Sequence, residues 1–107
     1  MNKPLEVEFL PGAKRYFKSL KRNKPLLKEY RDIIKKLQLN PTLGTEKSGD
    51  LSGVFSVDIR YQRVNYELAY CLKRLKTARF YLIIMAGTRE NFYQNLKRYI
   101  KSSNIER

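Results

Sequence analysis

The sequence predicts a small single α+β domain in which helices cover a mostly antiparallel sheet. Apolar residues alternate with polar ones near the N-terminus and again over residues 55–72, which is the period of half-buried strands. Two segments between them repeat apolar residues at helical spacing. A continuous apolar run, Phe80–Gly87, leads into a last amphipathic segment. With no repeats and no linker, the chain is expected to fold as one domain over residues 1–107, frayed over residues 102–107.

The N-terminal half is predicted to form a strand and a helical hairpin. The alternation over residues 5–9 predicts the strand, which Pro11-Gly12 is expected to end. Helices are predicted over residues 13–22 and 26–39, because each segment carries an apolar stripe on one side. Asn40-Pro41 stops the second helix, since proline disfavours the helical conformation in the residue before it.

The C-terminal half is predicted to form a three-stranded meander followed by a helix. Residues 41–53 have the composition of a loop. Two alternating runs then form a hairpin whose short link is Tyr61-Gln62, so that Arg63 opens the second strand. The buried strand Phe80–Gly87 comes next, and the last helix is expected to begin directly after it.

The charge of the chain favours polyanionic partners, with nucleic acid first among them. Lysine and arginine number 23 against 10 acidic residues, a formal net charge of +13. Histidine is absent and Cys71 is the single cysteine, which excludes a Cys/His zinc site, a Ser-His nucleophile and an internal disulfide. No cofactor, no metal and no membrane partner are expected. No apolar run approaches the ~20 residues of a membrane span and no signal peptide is visible, so a cytoplasmic location is expected.

One face of the central hairpin collects polar and charged side chains. The predicted strands bring six of them together: Ser56, Asp58, Arg60, Arg63, Asn65 and Glu67. Arg89 and Tyr93, just beyond the neighbouring strand, are expected to lean over the same surface. One interpretation is a solvated sheet face with Asp58–Arg63 and Arg60–Glu67 ion pairs, each contributing ~0.2–1 kcal/mol. The other interpretation is a surface that binds and cleaves RNA.

Cleavage of RNA by attack of the 2′-hydroxyl on the adjacent phosphate needs a base, cations that stabilise the phosphorane, and an acid for the leaving oxygen. Arg63 and Arg89 fit the second role, because guanidinium pairs with phosphate bidentately. Tyr93 fits stacking on a base or proton donation. Asp58 or Glu67 is the only carboxylate base on that face, and Asp58 is assigned the catalytic role. The remaining polar residues are expected to bind the RNA: Ser56, Arg60 and Asn65.

Three segments of the sequence carry a family resemblance. They are Leu51-Ser52-Gly53 before the hairpin, Arg63–Leu68 in its second strand, and Gly87–Tyr93 at the end. Together with the order of elements, they resemble the RelE/ParE toxins of bacterial type II toxin–antitoxin modules. The last segment is the most specific, because many relatives read Gly-Thr-His/Arg with a Tyr or Phe after it. RelE itself carries two lysines on the second strand, where this chain has Ser56 and Asp58.

The resemblance implies a small basic toxin that a cognate antitoxin protein holds inactive. RelE-type members are endoribonucleases that cut mRNA in the ribosomal A site and so inhibit translation, whereas ParE-type members share the fold but poison DNA gyrase. By resemblance, Arg63 stands at a phosphate-binding arginine, Arg89 at a catalytic arginine or histidine, and Tyr93 at the tyrosine that follows. We therefore expect a metal-independent mRNA interferase that acts on mRNA and the ribosome. A gyrase inhibitor and an inactive binding member of the fold are the alternatives.

Overall fold

A computed structural model describes residues 5–40, 43–76 and 78–103 of the chain. Over these residues the elements follow in the order strand, two helices, four strands, helix. Their bounds are β1 Glu6–Phe9, α1 Pro11–Ser19, α2 Lys24–Leu39, β2 Thr45–Glu46, β3 Phe55–Tyr61, β4 Val64–Leu75, β5 Ala78–Thr88 and α3 Phe92–Ser103. Short 3₁₀ turns lie at Leu20–Arg22 and Gly49–Leu51.

The five strands form one sheet in the order β1-β5-β4-β3-β2. In the described residues β1 pairs with β5 in parallel, and the other three pairings are antiparallel. Strands that are consecutive from β2 to β5 are therefore neighbours, as short connections favour. The two helices between β1 and β2 carry the chain from one edge of the sheet to the other. The predicted α+β class with a mostly antiparallel sheet is confirmed.

Local signals explain where the first two helices begin. Pro11 stands in the first turn of α1, where its missing N–H costs no hydrogen bond. Asn23 caps α2, because its side chain accepts a hydrogen bond from the Leu26 amide at 3.4 Å. Both helices start two residues earlier than their apolar stripes predict, and Pro11-Gly12 opens α1 after β1 has ended at Phe9.

Two apolar cores lie on opposite faces of the sheet. Helices α1 and α2 cover one face, where Tyr30 and Leu68 are fully buried. Helix α3 covers the other face, where Ala69 and Leu96 are fully buried. Successive residues of β4 thus point alternately into the two cores. The sheet is therefore the middle layer of three. Side chains on its α3 face are separated from the α1–α2 hairpin by the sheet itself.

The segment predicted to be a loop, residues 41–53, contains a short strand. Thr45 and Glu46 pair with Ser56 and Phe55 at the edge of the sheet as β2. Two residues are too few to show an alternation, so the sequence carries no signal for this strand. The predicted end of α2 at Asn40 is confirmed, whereas Pro41 lies outside the described residues.

The last helix begins later and ends later than the sequence predicts. Thr88 still belongs to β5, and a turn separates it from the start of α3 at Phe92. Arg89 is therefore a turn residue rather than a helical one. At the other end α3 continues to Ser103, into the segment predicted to fray. The rest of that segment, residues 104–107, lies outside the described residues.

Candidate functional site

The turn of the hairpin between β3 and β4 sets which polar side chains face each other. Its two residues, Gln62 and Arg63, have positive φ angles of 49° and 67°. Two-residue hairpin turns require this conformation, although glycine or asparagine usually supplies it. The turn lies one residue later than predicted, so Arg63 belongs to the turn and not to the second strand. Because the turn is shifted by one residue, each residue of β3 pairs with a residue of β4 that lies two positions from the predicted one. A shift of two leaves every side chain on its predicted face of the sheet.

Two carboxyl groups face each other as a result of this register. Asp58 on β3 lies directly opposite Glu67 on β4, and Arg60 lies opposite Asn65. Nη1 of Arg60 donates to Oδ1 of Asn65 at 3.3 Å. The predicted Asp58–Arg63 and Arg60–Glu67 ion pairs are not formed in the part of the chain that the structure describes. Like charges directly opposite each other repel, so two ionised carboxylates at this position would destabilise the hairpin.

A shared proton resolves that conflict, because Glu67 is buried with 1% of its side chain exposed. Burial first, and then the adjacent Asp58 carboxyl, raise the pKa of Glu67 to about 7. A hydrogen bond from Tyr93 and the charge of Arg89 act in the opposite direction and lower this pKa. Oε1 of Glu67 is buried and accepts no hydrogen bond from any of the described residues. Protonation of Glu67 removes the repulsion between the two facing carboxylates and lowers the cost of burying this carboxyl group.

Tyr93, in the first turn of α3, joins the helix to this carboxyl pair. Its hydroxyl donates to Oε2 of Glu67 at 3.1 Å, and Oγ of Ser56 lies 3.2 Å from the same hydroxyl. Asn91 has a φ angle of 57°, which lets the chain turn sharply from β5 into α3. The predicted approach of Tyr93 to the polar face of the hairpin is therefore observed, with Ser56 buried beneath it.

Arg89 lies in the turn between β5 and α3, beside the carboxyl pair. Its backbone N–H donates to the carbonyl of Asn65 at 2.9 Å, and its own carbonyl accepts from the Phe92 amide at 3.1 Å. Nε of Arg89 lies 3.6 Å from Oε1 of Glu67, which is an ion-pair distance but too long for a hydrogen bond. The Arg89 side chain is 58% exposed, so its guanidinium remains accessible to a phosphate.

Gly87 on β5 leaves open space beside the buried acid. The register shifts between Ala69 and Tyr70, and beyond that shift Gly87 stands directly opposite Glu67. Paired residues of antiparallel strands project to the same face. A Cβ atom at Gly87 would meet no atom within 4 Å. The space over Gly87, next to Glu67, is therefore open.

The sequence analysis does not predict that Lys47 lies near Tyr93, and it does not predict that Glu67 is buried. Lys47 follows β2, and its Nζ lies 4.6 Å from the centroid of the Tyr93 ring. No pattern in the sequence connects Lys47 to Tyr93, because only the folded sheet and helix bring them together. Glu67 had a usable signal: it begins the run Glu67–Leu72, whose other members are apolar on both faces of the strand.

The other predicted residues lie farther from the acid. Arg63 is exposed at the hairpin turn, four residues before Glu67, which is ~13 Å along a strand. Arg60 and Asn65 are exposed between the turn and the acid. We refer to the residues that the structure brings together as the carboxylate cluster: Ser56, Asp58, Glu67, Arg89 and Tyr93.

The chemistry of the carboxylate cluster follows from its groups. Two carboxyl groups and a tyrosine hydroxyl can accept and release protons, and an accessible guanidinium can bind a phosphate. Among the described residues, no group of three or more His, Cys, Asp or Glu side chains is placed to hold a metal ion. None of the described helices is long and apolar enough to cross a membrane.

Comparison with known proteins identifies the family. A family model described as the ParE-like toxin of type II bacterial toxin–antitoxin systems matches residues 7–97. Among solved structures, the YoeB/ParE toxin from Agrobacterium tumefaciens is similar in fold, with a TM-score of 0.66 and 12% sequence identity over 79% of this chain and 99% of that chain. No curated protein matches the chain by sequence. Because the family model extends from β1 into α3, the chain belongs to the ParE-like toxins of type II bacterial toxin–antitoxin systems.

Proposed function

We propose that the chain is a metal-independent endoribonuclease, an mRNA interferase that cleaves mRNA on the ribosome in the cytoplasm and so stops translation. The observation that carries this proposal is the facing pair Asp58 and Glu67, beside an exposed arginine and a tyrosine hydroxyl. Because the pKa of Glu67 is raised to about 7, the pair can both accept and release a proton at neutral pH. The net charge of +13 supplies the attraction for RNA.

The geometry provides a path for each proton. Asp58, the exposed member of the pair, accepts the proton of the attacking 2′-hydroxyl. Tyr93 gives its hydroxyl proton to the leaving 5′-oxygen and regains one from Glu67, 3.1 Å away. The bond from phosphorus to the 2′-oxygen forms as the bond to the 5′-oxygen breaks, which leaves a 2′,3′-cyclic phosphate. The carboxyl pair ends with one proton, as it began.

Positive side chains account for phosphate binding. Arg89 stabilises the charge that develops on the phosphorane, because its guanidinium is exposed at the edge of the carboxylate cluster. The hydrogen bond from its backbone N–H to the Asn65 carbonyl fixes the turn that carries the guanidinium before substrate binds. Arg60, Arg63 and Asn65 extend along the hairpin toward its turn and hold the RNA on one side of the cleavage point.

Type II systems contain an antitoxin, and the surface of this chain that suits such a partner is the α1–α2 hairpin, on the face of the sheet opposite the carboxylate cluster. Between positions 14 and 36 the sequence has ten Lys or Arg residues and two acids. A cavity of about 340 Å³ between β1, α1 and α2 has apolar walls that include Phe17 and Tyr30 and a rim that includes Lys14 and Lys18. A segment of the antitoxin with apolar side chains flanked by acids fits this cavity. Since the cavity and the carboxylate cluster lie on opposite faces, that segment anchors the antitoxin without covering the cluster.

Inhibition of DNA gyrase is the second candidate function, because the matching family is ParE-like. The two functions differ in what is damaged when the toxin is induced. Growth arrest with new mRNA 5′ ends inside coding regions supports the ribonuclease. Arrest with intact mRNA and blocked DNA supercoiling supports the gyrase inhibitor, and unimpaired growth supports an inactive binding member. Lys21→Ala, on the helical face away from the carboxylate cluster, is the control that should arrest growth as the parent does.

A further inference from the structure

Lys47 forms no ion pair in the part of the chain that the structure describes. Its side chain is half-buried, and among the described residues no carboxylate lies within ion-pair distance of Nζ. Its ammonium instead lies 4.6 Å from the centre of the Tyr93 ring. The backbone N–H of Lys47 donates to the carbonyl of Val54 at 2.8 Å, which fixes the segment that carries it. An ammonium that no carboxylate neutralises can bind an anion.

A cavity adjoins both Lys47 and the carboxylate cluster. Its volume is about 190 Å³, below the ~300–1,000 Å³ of pockets for drug-sized ligands, so it has room for one ring system. Two members of the cluster, Ser56 and Asp58, form one wall. Leu43 and Thr45 form another wall, and Leu43 keeps 39% of its surface exposed. The cavity is lined mainly by polar groups: two hydroxyls, the Asp58 carboxyl and the Lys47 ammonium, with Leu43 and Val57 as the apolar members.

Arg89 and Lys47 stand on opposite sides of the carboxyl pair. Arg89 follows β5, whereas Lys47 follows β2, and three strand spacings separate those strands. Three spacings correspond to ~14 Å across the sheet. Lys47 also lies beside Val54, four residues or ~13 Å along the chain from Asp58, so a single-stranded RNA that runs diagonally across the strands meets Arg89, then the carboxyl pair, then Lys47. Lysine is a common phosphate ligand that acts as a point charge.

We infer that the cavity between β2 and β3 is a nucleotide subsite for the residue next to the scissile phosphate. Lys47 binds the phosphate of that nucleotide, and its base enters the cavity against Leu43 and Thr45. The inference rests on the proposed ribonuclease function and adds a determinant of substrate position. It also assigns the sequence preference of cleavage to β2 and the residues beside it rather than to the hairpin turn.

Binding of a short single-stranded 2′-O-methyl RNA tests the subsite without requiring cleavage, because this probe lacks the attacking hydroxyl. Lys47→Gln should weaken binding ~10-fold at low salt, the effect of one charge-assisted hydrogen bond, and should lower the salt slope by about 0.7. Lys47→Arg should restore both values. Lys73→Gln is the matched control, since Lys73 is also half-buried on the α3 face but lies six residues farther along β4 from Glu67.

Equal effects of Lys47→Gln and Lys73→Gln would overturn the subsite, as would unchanged binding by Lys47→Gln. Thermal melting of each variant checks that the comparison is between folded proteins. If the parent binds the probe through Lys47 yet leaves mRNA on translating ribosomes intact, the subsite is supported and the proposed catalysis fails. If the parent cleaves RNA and Lys47→Gln cleaves it with the same site preference and KM, the catalysis stands and the subsite is wrong.

Discussion

The hydroxyl of Tyr93 on α3 lies 3.1 Å from Oε2 of Glu67 on β4, which ties the last helix to a buried acid in the middle of the sheet. The same hydroxyl lies 3.2 Å from Oγ of Ser56 on β3. One side chain thus joins two strands and the helix that covers them. Any change that unseats α3 should disturb the protonation of Glu67 as well as the packing of the α3 face.

Replacing Tyr93 with Phe should separate proton transfer from packing. The ring remains, so its contact with Lys47 and any stacking on a base are kept. Loss of the hydroxyl should lower the cleavage rate ~10²–10⁴-fold, the usual contribution of a positioned acid. The free energy of unfolding should fall by about 1 kcal/mol, the worth of one hydrogen bond. Single-turnover cleavage and denaturant titration measure the two effects, and a folded Tyr93→Phe protein with the parental rate would remove Tyr93 from the proton path.

Replacing Arg89 with Ala should lower the cleavage rate ~10²–10³-fold, as losing one preorganised charge donor does. RNA affinity should change little, because many other cations contribute to phosphate attraction. Arg98→Ala, exposed on α3, is the matched control and should keep the parental rate. A folded Arg89→Ala protein that arrests growth like the parent would show that the carboxylate cluster is not the active site.

Arg63→Gly gives the corresponding test at the hairpin turn. Glycine adopts the positive φ of this position without strain, so the variant should be more stable, with a free energy of unfolding ~1 kcal/mol above that of the parent. Its cleavage rate should fall less than that of Arg89→Ala, since Arg63 lies ~13 Å along the strand from Glu67. RNA affinity should fall instead, and a rate loss as large as that of Arg89→Ala would place the reacting phosphate nearer the turn.

The stability of the protein should depend on pH through Glu67. Its folded pKa of about 7 exceeds its ordinary value of 4.5, so the folded state binds more protons between these values. Glu67 therefore contributes up to about 3 kcal/mol to the free energy of unfolding. This contribution is present in full below pH ~4.5 and is lost as the pH rises through about 7. Glu67→Gln does not titrate and can still donate to Asp58. Thermal melting across this range should show the parent losing stability relative to Glu67→Gln, and parallel curves would contradict a buried titrating acid.

Binding of the cognate antitoxin should be tight, nanomolar or better, and its association rate should fall steeply with salt. The rate should drop more than ~10-fold between ~0.05 M and ~0.5 M salt, because screening removes the attraction of the α1–α2 surface. Lys14→Glu with Lys18→Glu should slow association, whereas Lys97→Glu on α3 should have a smaller effect. An association rate indifferent to salt would contradict this electrostatic recognition.

The alternations and apolar stripes predicted the elements because burial on one face leaves a period in the sequence. They also placed Asp58, Glu67, Arg89 and Tyr93 on one surface, since side-chain faces do not change when a turn moves by one residue. What they could not predict was the pairing across the hairpin. Neither Gln62 nor Arg63 is typical of a two-residue hairpin turn, so the sequence does not indicate the register. An ion pair between Glu67 and Arg60 was therefore predicted, instead of the observed pairing of Glu67 with Asp58.

Burial and distant contacts were the other gaps. Glu67 is buried because α3 covers it, and the closeness of Lys47 to Tyr93 depends on the order of strands in the sheet. Both facts arise from tertiary packing between segments far apart in the chain. A two-residue edge strand such as β2 likewise leaves no period, although it supports the segment that carries Lys47.

Analysis of the 3′ ends of mRNA after incubation with the toxin and translating ribosomes tests the central claim most directly. The account predicts fragments that end in a 2′,3′-cyclic phosphate, formed by the parent and greatly slowed in Asp58→Asn, which cannot accept the 2′-hydroxyl proton. Glu67→Gln, which cannot return a proton to Tyr93, should be slowed as well. Intact mRNA, fragments ending in a 3′-hydroxyl, or cleavage by folded Asp58→Asn at the parental rate or faster would contradict the account.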